Sequence, residues 1–174
     1  PEIKTDKNYG NAGGTAKDKA AIIEKFGADN VERIYRLQDV QKGMLYHSLE
    51  KAGNNEYKMQ YRIHMGFYMD AELAEEAINV VSDKYGALRT SIVYKKVTEP
   101  MQVVLKNRKP IVEVVEVNGD ITEELVNEYV ERDLNRALDL EDSPLFAVTI
   151  LHNYKTMEMI WNFHHILMDG WSLP

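Results

Sequence analysis

The chain has 174 residues, 28 acidic against 21 basic for a formal charge of −7, and no cysteine. The acid excess argues against a nucleic-acid-binding surface, which carries a basic field, and the missing thiols exclude disulfides, thiolate zinc sites and cysteine nucleophiles. No apolar run approaches the roughly 20 residues of a membrane helix, and no basic-then-apolar opening marks a secretory signal, so the sequence reads as a globular cytoplasmic protein.

In chain order, residues 1–14 (PEIKTDKNYGNAGG) offer almost nothing to bury and read as a linker or tail. Thr15 can cap a short helix carrying Ala20, Ile23 and Phe26, with Gly27 in the position that ends helices. Residues 1–30 are therefore assigned to a flexible segment containing one short helix. A second helix starts after Asp39, with Met44, Leu45, Ser48 and Leu49 on adjoining rows.

The segment YKMQYRIHMGF alternates without error. Tyr57, Met59, Tyr61, Ile63, Met65 and Phe67 fall on one face, and Lys58, Gln60, Arg62 and His64 on the other, which predicts a strand with one buried side. Asp70 caps the next helix. Its apolar stripe is read as Leu73, Ala77 and Val81, with Ala74 and Ile78 beside them, and Gly86 stops it.

Strands are predicted over 90–94, 101–105 and 111–117. Asp120 with Glu123 makes a capping-box-like start to a helix whose buried side is Leu125, Tyr129, Val130, Leu134 and Leu138, with the acidic run 123–131 solvated. Strands over 145–152 and 157–163, joined by Asn153-Tyr154-Lys155-Thr156, predict an antiparallel hairpin. The sum is an α+β fold, a largely antiparallel sheet with helices packed on it, in one compact unit over 31–174.

The densest chemistry lies at WNFHHILMDGW. Met157, Met159, Trp161 and Phe163 share a strand face; if the extended geometry continues, His165 joins that face and His164 points away. Adjacent histidines on opposite faces chelate one metal poorly, and no cysteine or clustered carboxylate completes a ligand set, so no metal is expected. Asp169 follows His165 by four residues, and Gly170 permits a sharp turn. A histidine at a strand end suits proton transfer because its ordinary pKa, about 6.5, leaves it largely neutral near pH 7. Such a pair is common, so alone it does not establish catalysis. His47, His64 and His152 have no partner at informative spacing.

HHILMDG is an instance of HHxxxDG, and its surroundings extend the pattern. IYRLQDVQKGMLYHSL matches Y-x-L-x-x-x-Q-x-G-M-L through Tyr35, Leu37, Gln41, Gly43, Met44 and Leu45. KYGALRTSI matches R-H-x-x-L-R-T through Leu88, Arg89 and Thr90, and EPMQVVL and LDLEDSPLF follow in order. These ordered segments resemble the condensation domains of nonribosomal peptide synthetases, members of the HHxxxDG acyltransferase superfamily. Two positions depart from the pattern: Lys84-Tyr85 stands where Arg-His is usual, and Ala147 where an arginine often follows PLF.

The resemblance implies a chloramphenicol acetyltransferase-like lobe, the N-terminal of two, with the C-terminal lobe and neighbouring synthetase modules beyond this chain. It implies His165 as the catalytic histidine, acting as general base or orienting group on an acceptor α-amine, with His164 the less essential of the two. Asp169 would be structural and paired with Arg89, and Gly170 would adjoin the reaction centre. The reaction would join donor and acceptor thioesters held by two peptidyl carrier proteins; the phosphopantetheine belongs to the carriers, and the lobe needs no cofactor of its own. One lobe alone is expected to be inactive and to self-associate through its open junction. LMDGW resembles subtypes that join two L-configured residues. Other readings are an HHxxxDG acyltransferase with an alcohol or lipid acceptor, and a non-catalytic docking lobe.

Overall fold

Thr15 and Asp18 close the first helix on each other. The Thr15 hydroxyl accepts the Asp18 N–H at 3.2 Å, and the Asp18 carboxylate accepts the Thr15 N–H at 2.8 Å. This capping box starts α1 (Ala16–Phe26), which ends on Gly27 at φ 83°, a left-handed value that glycine adopts without strain. The computed structural model describes residues 13–50 and 55–168.

The expected helix is present, but its inward residue is Ile22, fully buried, while Ala20 is exposed. Asp18 also accepts the Thr98 hydroxyl at 2.6 Å and the Thr98 N–H at 2.7 Å. Those bonds, led by the Thr98 hydroxyl, hold its carboxyl far below the usual carboxylate range. Residues 13–30, grouped with the flexible segment from sequence, thus include a helix fixed to the core; residues 1–12 lie outside the described residues.

β1 (Val31–Arg36), α2 (Asp39–Glu50), β2 (Lys58–Met65), α3 (Ala71–Lys84), β3 (Thr90–Val93), β4 (Met101–Leu105), β5 (Ile111–Glu116), α4 (Glu123–Leu134), β6 (Phe146–His152) and β7 (Met157–His164) follow, with a 3-10 turn over Gly86–Arg89. They form two sheets, β1-β4-β3 and β2-β7-β6-β5. All pairings are antiparallel except β5 with β6, where α4 provides the long connection that a parallel pair requires. The β6–β7 hairpin has the expected antiparallel register, with Phe146 opposite Phe163 and His152 opposite Met157.

Alternation along β6 and β7 divides the larger sheet's faces. Phe146, Val148, Ile150, Met157, Met159 and Phe163 pack with Ala71, Ala74 and Ile78 of α3. On the other face Leu151 and Ile160 pack with Val126 of α4. The three-stranded sheet buries Val31, Ile34, Val93, Met101, Val103 and Leu105 with Ile22. Between the sheets, Leu37, Leu45, Ile92, Leu140, Leu145 and Ile166 form a joining cluster.

Several expectations are corrected. The α3 stripe is rotated: Leu73, Ala77 and Val81 are exposed, and the buried row is Ala71, Ala74, Ile78 and Ser82, in which Ile78 is the one large side chain. β2 keeps its alternation without a buried face. Tyr61 stacks on Phe163 with ring centroids 5.9 Å apart, yet Tyr61 and Ile63 remain 39% and 37% exposed, because β2 is an edge strand and only Met59 and Met65 reach the core. α4 is capped by Thr122, which accepts the Leu125 N–H at 3.2 Å, rather than by Asp120; its buried apolar residue is Val126, and Leu138 lies past its end. Among the described residues no helix is long and apolar enough to cross a membrane.

Candidate active site

β7 runs through the middle of the larger sheet, so its last amides can donate to either neighbour. The His164 N–H donates to Leu145 O at 3.0 Å on one side, and the His165 N–H to Tyr57 O at 2.7 Å on the other. The strand then stops. The Leu167 N–H donates to His164 O at 3.0 Å, closing a turn with His165 and Ile166 at its corner, so the extended path holds only as far as the His165 amide. Ile166, 2% exposed, anchors that corner in the joining cluster.

The two histidines receive opposite environments. His164 is buried, and its Nδ1 accepts the Ile166 N–H at 3.2 Å. The ring hydrogen therefore sits on Nε2, which donates to Ser48 Oγ at 3.2 Å, and Ser48 in turn donates to Met44 O at 2.7 Å. Burial, with the nearby His165 and Lys58, lowers the His164 pKa from 6.5 to about 4. Ser48 and His164 thus resemble a nucleophile–base pair in distance only: the nitrogen facing the hydroxyl carries a hydrogen, so it cannot take the serine proton.

His165 is half-buried, and its Nδ1 lies 2.9 Å from Met168 O. A carbonyl only accepts, so the hydrogen is on Nδ1 and the neutral ring keeps its lone pair on Nε2. This is the tautomer a general base uses, oriented by a backbone carbonyl as base histidines often are.

Lys58 sits beside His164 in the β2–β7 register, and its ammonium donates to Asn55 Oδ1, Leu134 O and Arg136 O at 2.8–2.9 Å. A cavity of about 380 Å³ opens between α2 and the segment after α4, bordered by Ser48, Lys58, Tyr94 and His164. It reaches His164, not His165. Among the described residues no group of three or more His, Asp or Glu is arranged to hold a metal ion.

Arg89 is 6% exposed, and its bonds among the described residues run to α3, β4 and Glu32. Its guanidinium donates to Ser82 O at 2.9 Å, Leu105 O at 2.6 Å, Asp83 O at 3.3 Å and the Glu32 carboxylate at 2.9 Å. Among the described residues its charge partner is Glu32. Asp169, expected to pair with Arg89, and Gly170, expected beside the reaction centre, both lie outside the described residues. The two motif departures are local: Tyr85 is exposed at the end of α3, and Ala147 lies on β6 opposite Asn162. Sequence reasoning assigned no role here to Gln41 or Ser48, both of which bond to the motif turn from α2.

Comparison with known proteins places these features in context. The family model described as Condensation domain matches residues 31–174. Gramicidin S synthase 2 of Brevibacillus brevis is 35% identical over 153 residues, covering 86% of this chain and 3% of the synthase. Surfactin synthase subunit 3 of Bacillus subtilis (strain 168) is 33% identical over 153 residues, covering 86% of this chain and 12% of that subunit. The chain therefore spans only a small part of these relatives. A crystal structure of the starter condensation domain of rhizomide synthetase superposes with TM-score 0.71 at 17% identity, over 79% of this chain and 35% of that one. A four-domain nonribosomal peptide synthetase bound to AMP and glycine gives 0.70 at 19% identity, over 82% and 11%. At those identities the structural likeness speaks for the fold.

Proposed function

Since the chain belongs to the condensation-domain family of nonribosomal peptide synthetases, we propose that it forms the N-terminal lobe of a domain that makes an amide bond between two carrier-tethered thioesters, with His165 as its base or orienting group. The observation that carries this reading is the division between the adjacent histidines. His164 spends both ring nitrogens inside the lobe, whereas His165 is held through Nδ1 and, among the described residues, its Nε2 has no hydrogen-bond partner.

The chemistry follows from that nitrogen. An acceptor α-amine, with an ordinary pKa near 8, must be neutral to attack. Its nitrogen forms a bond to the donor thioester carbon, and negative charge moves to the carbonyl oxygen. As the amine loses its proton to Nε2, the tetrahedral species collapses, the C–S bond breaks, and the departing thiolate takes a proton to leave as the carrier's phosphopantetheine thiol. Positioning the amine and accepting its proton at this nitrogen contributes about 10²–10⁴-fold in general acid–base catalysis.

The partners are a donor and an acceptor peptidyl carrier protein, each presenting its own phosphopantetheine arm, and the second lobe supplies the remaining substrate contacts. Coverage of about a third of a matched condensation domain supports the view that this lobe alone does not turn over. Arg89 serves as a brace of the corner between α3 and β4, through its three carbonyl partners and Glu32. The LMDGW wording supports a donor and acceptor that are both L-configured.

The test is a two-lobe domain carrying this chain, supplied with loaded donor and acceptor carriers and followed by mass spectrometry of the carrier-bound products. Amide product on the acceptor carrier is expected. Product only with an alcohol acceptor would move the chain to another HHxxxDG acyltransferase class, and carrier binding without any product would make it a docking lobe.

A further inference from the structure

Gln41 lies in the first turn of α2 and reaches the motif turn across 125 residues of sequence. The two ends of its side chain do different jobs. Oε1 accepts the Gln38 N–H at 2.9 Å, which fixes the rotamer, and Nε2 donates to Ile166 O at 2.9 Å. The assignment of its amide is unambiguous, because an N–H needs the oxygen and a carbonyl needs the nitrogen.

The carbonyl it holds belongs to the corner of the turn. Ile166 is already fixed by its buried side chain, so the donated bond sets the remaining freedom, the tilt of the peptide leading to Leu167. Two residues on is Met168, whose carbonyl receives the His165 Nδ1–H.

We infer that Gln41 is a positioning residue for His165: by holding the Ile166 carbonyl it directs the chain so that Met168 O meets Nδ1 and the base lone pair stays on Nε2. The inference rests on the proposed role of His165 and adds a residue that touches no reacting atom. Losing it lowers the rate of the chemical step and leaves substrate affinity alone, whereas a residue that only stabilised α2 would change neither.

The experiment uses the full condensation domain containing this chain, with ¹⁵N-labelled histidine, as wild type, Gln41→Met and Gln41→Glu. Methionine keeps the length without a donor; glutamate keeps the shape and can still accept from Gln38, but offers no N–H to Ile166. Long-range ¹⁵N–¹H spectra of His165 should show the Nδ1–H form in the wild type and a mixture of tautomers in both variants. Turnover should fall by about 10- to 100-fold in kcat with KM unchanged. An unaltered Nδ1–H pattern in a folded variant, or a rise in KM at constant kcat, overturns the inference; if one variant fails to fold, the other decides. The spectra are read without turnover, so they stand apart from the failure of His165 itself as the base, which His165→Ala reports.

Discussion

Ser48 Oγ and His164 Nε2 lie 3.2 Å apart, and this contact ties α2 to the last residue of β7. It leaves His164 a structural imidazole whose hydrogen bonds require the neutral ring. Its neighbour His165 carries no such burden, and the contrast between two consecutive residues of one chain underlies the functional reading.

That contact gives stability a pH dependence. Folded His164 titrates at about 4 and the unfolded residue near 6.5, so between these values the unfolded chain binds the proton more readily. The contribution is therefore complete above pH 6.5, declines as pH falls, and is lost below about 4, worth about 3 kcal/mol in all. Urea unfolding across pH 4–7.5 should show this slope in the wild type and a shallower one in His164→Gln. Parallel slopes would mean that His164 is not held neutral by the fold.

Glu141 should be a stability hot spot outside the site. It is 1% exposed, and its carboxylate accepts the Tyr94 N–H at 2.8 Å, the Lys95 N–H at 2.7 Å and the Lys25 ammonium at 2.8 Å. Glu141→Ala strands two amides and is expected to cost about 3 kcal/mol. Lys25→Ala removes a partner that reaches solvent and should cost under about 1 kcal/mol. Denaturant midpoints of the two variants check the order.

Arg89→Lys should likewise destabilise, by about 2 kcal/mol or more, since an ammonium cannot replace a planar fork that serves three carbonyls and Glu32 together. Thermal unfolding of this variant beside Glu32→Gln separates the carbonyl bonds from the ion pair: the lysine variant should be the less stable of the two.

Gly43 is exposed within α2, and a Cβ there would meet no atom of the described residues within 4 Å. Gly43→Ala should accordingly stabilise the lobe by about 0.5–1 kcal/mol. A gain in stability accompanied by lost activity in the two-lobe domain would show that another surface approaches the helix at this point.

Much of this was legible in the sequence because it is local. The β6–β7 hairpin, the Thr15 and Asp70 caps and a histidine at a strand end all follow from short-range patterns. β1 was missed because its apolar residues Val31 and Ile34 are three apart; a register shift between Val31 and Arg33 brings both to the core, and no period of two survives it. The α3 stripe was misread because alanine and serine on the contact face carry little hydropathy signal. The parallel β5–β6 pair depends on how α4 crosses the sheet, which no strand pattern encodes. Gln41 was legible as a motif residue but its partner was not, since a side-chain bond to a backbone carbonyl on a distant element leaves no periodic trace.

The most direct measurement compares single-turnover amide formation by the two-lobe domain as His165→Ala and as His164→Gln, at pH 7.5 with loaded carriers. His165→Ala should lose at least about 10²-fold in rate while its fold is retained, and His164→Gln should lose stability but keep most of its rate per folded molecule. Wild-type product formation by His165→Ala, or the reverse order of the two variants, would contradict the assignment of the His165 Nε2 to the reaction.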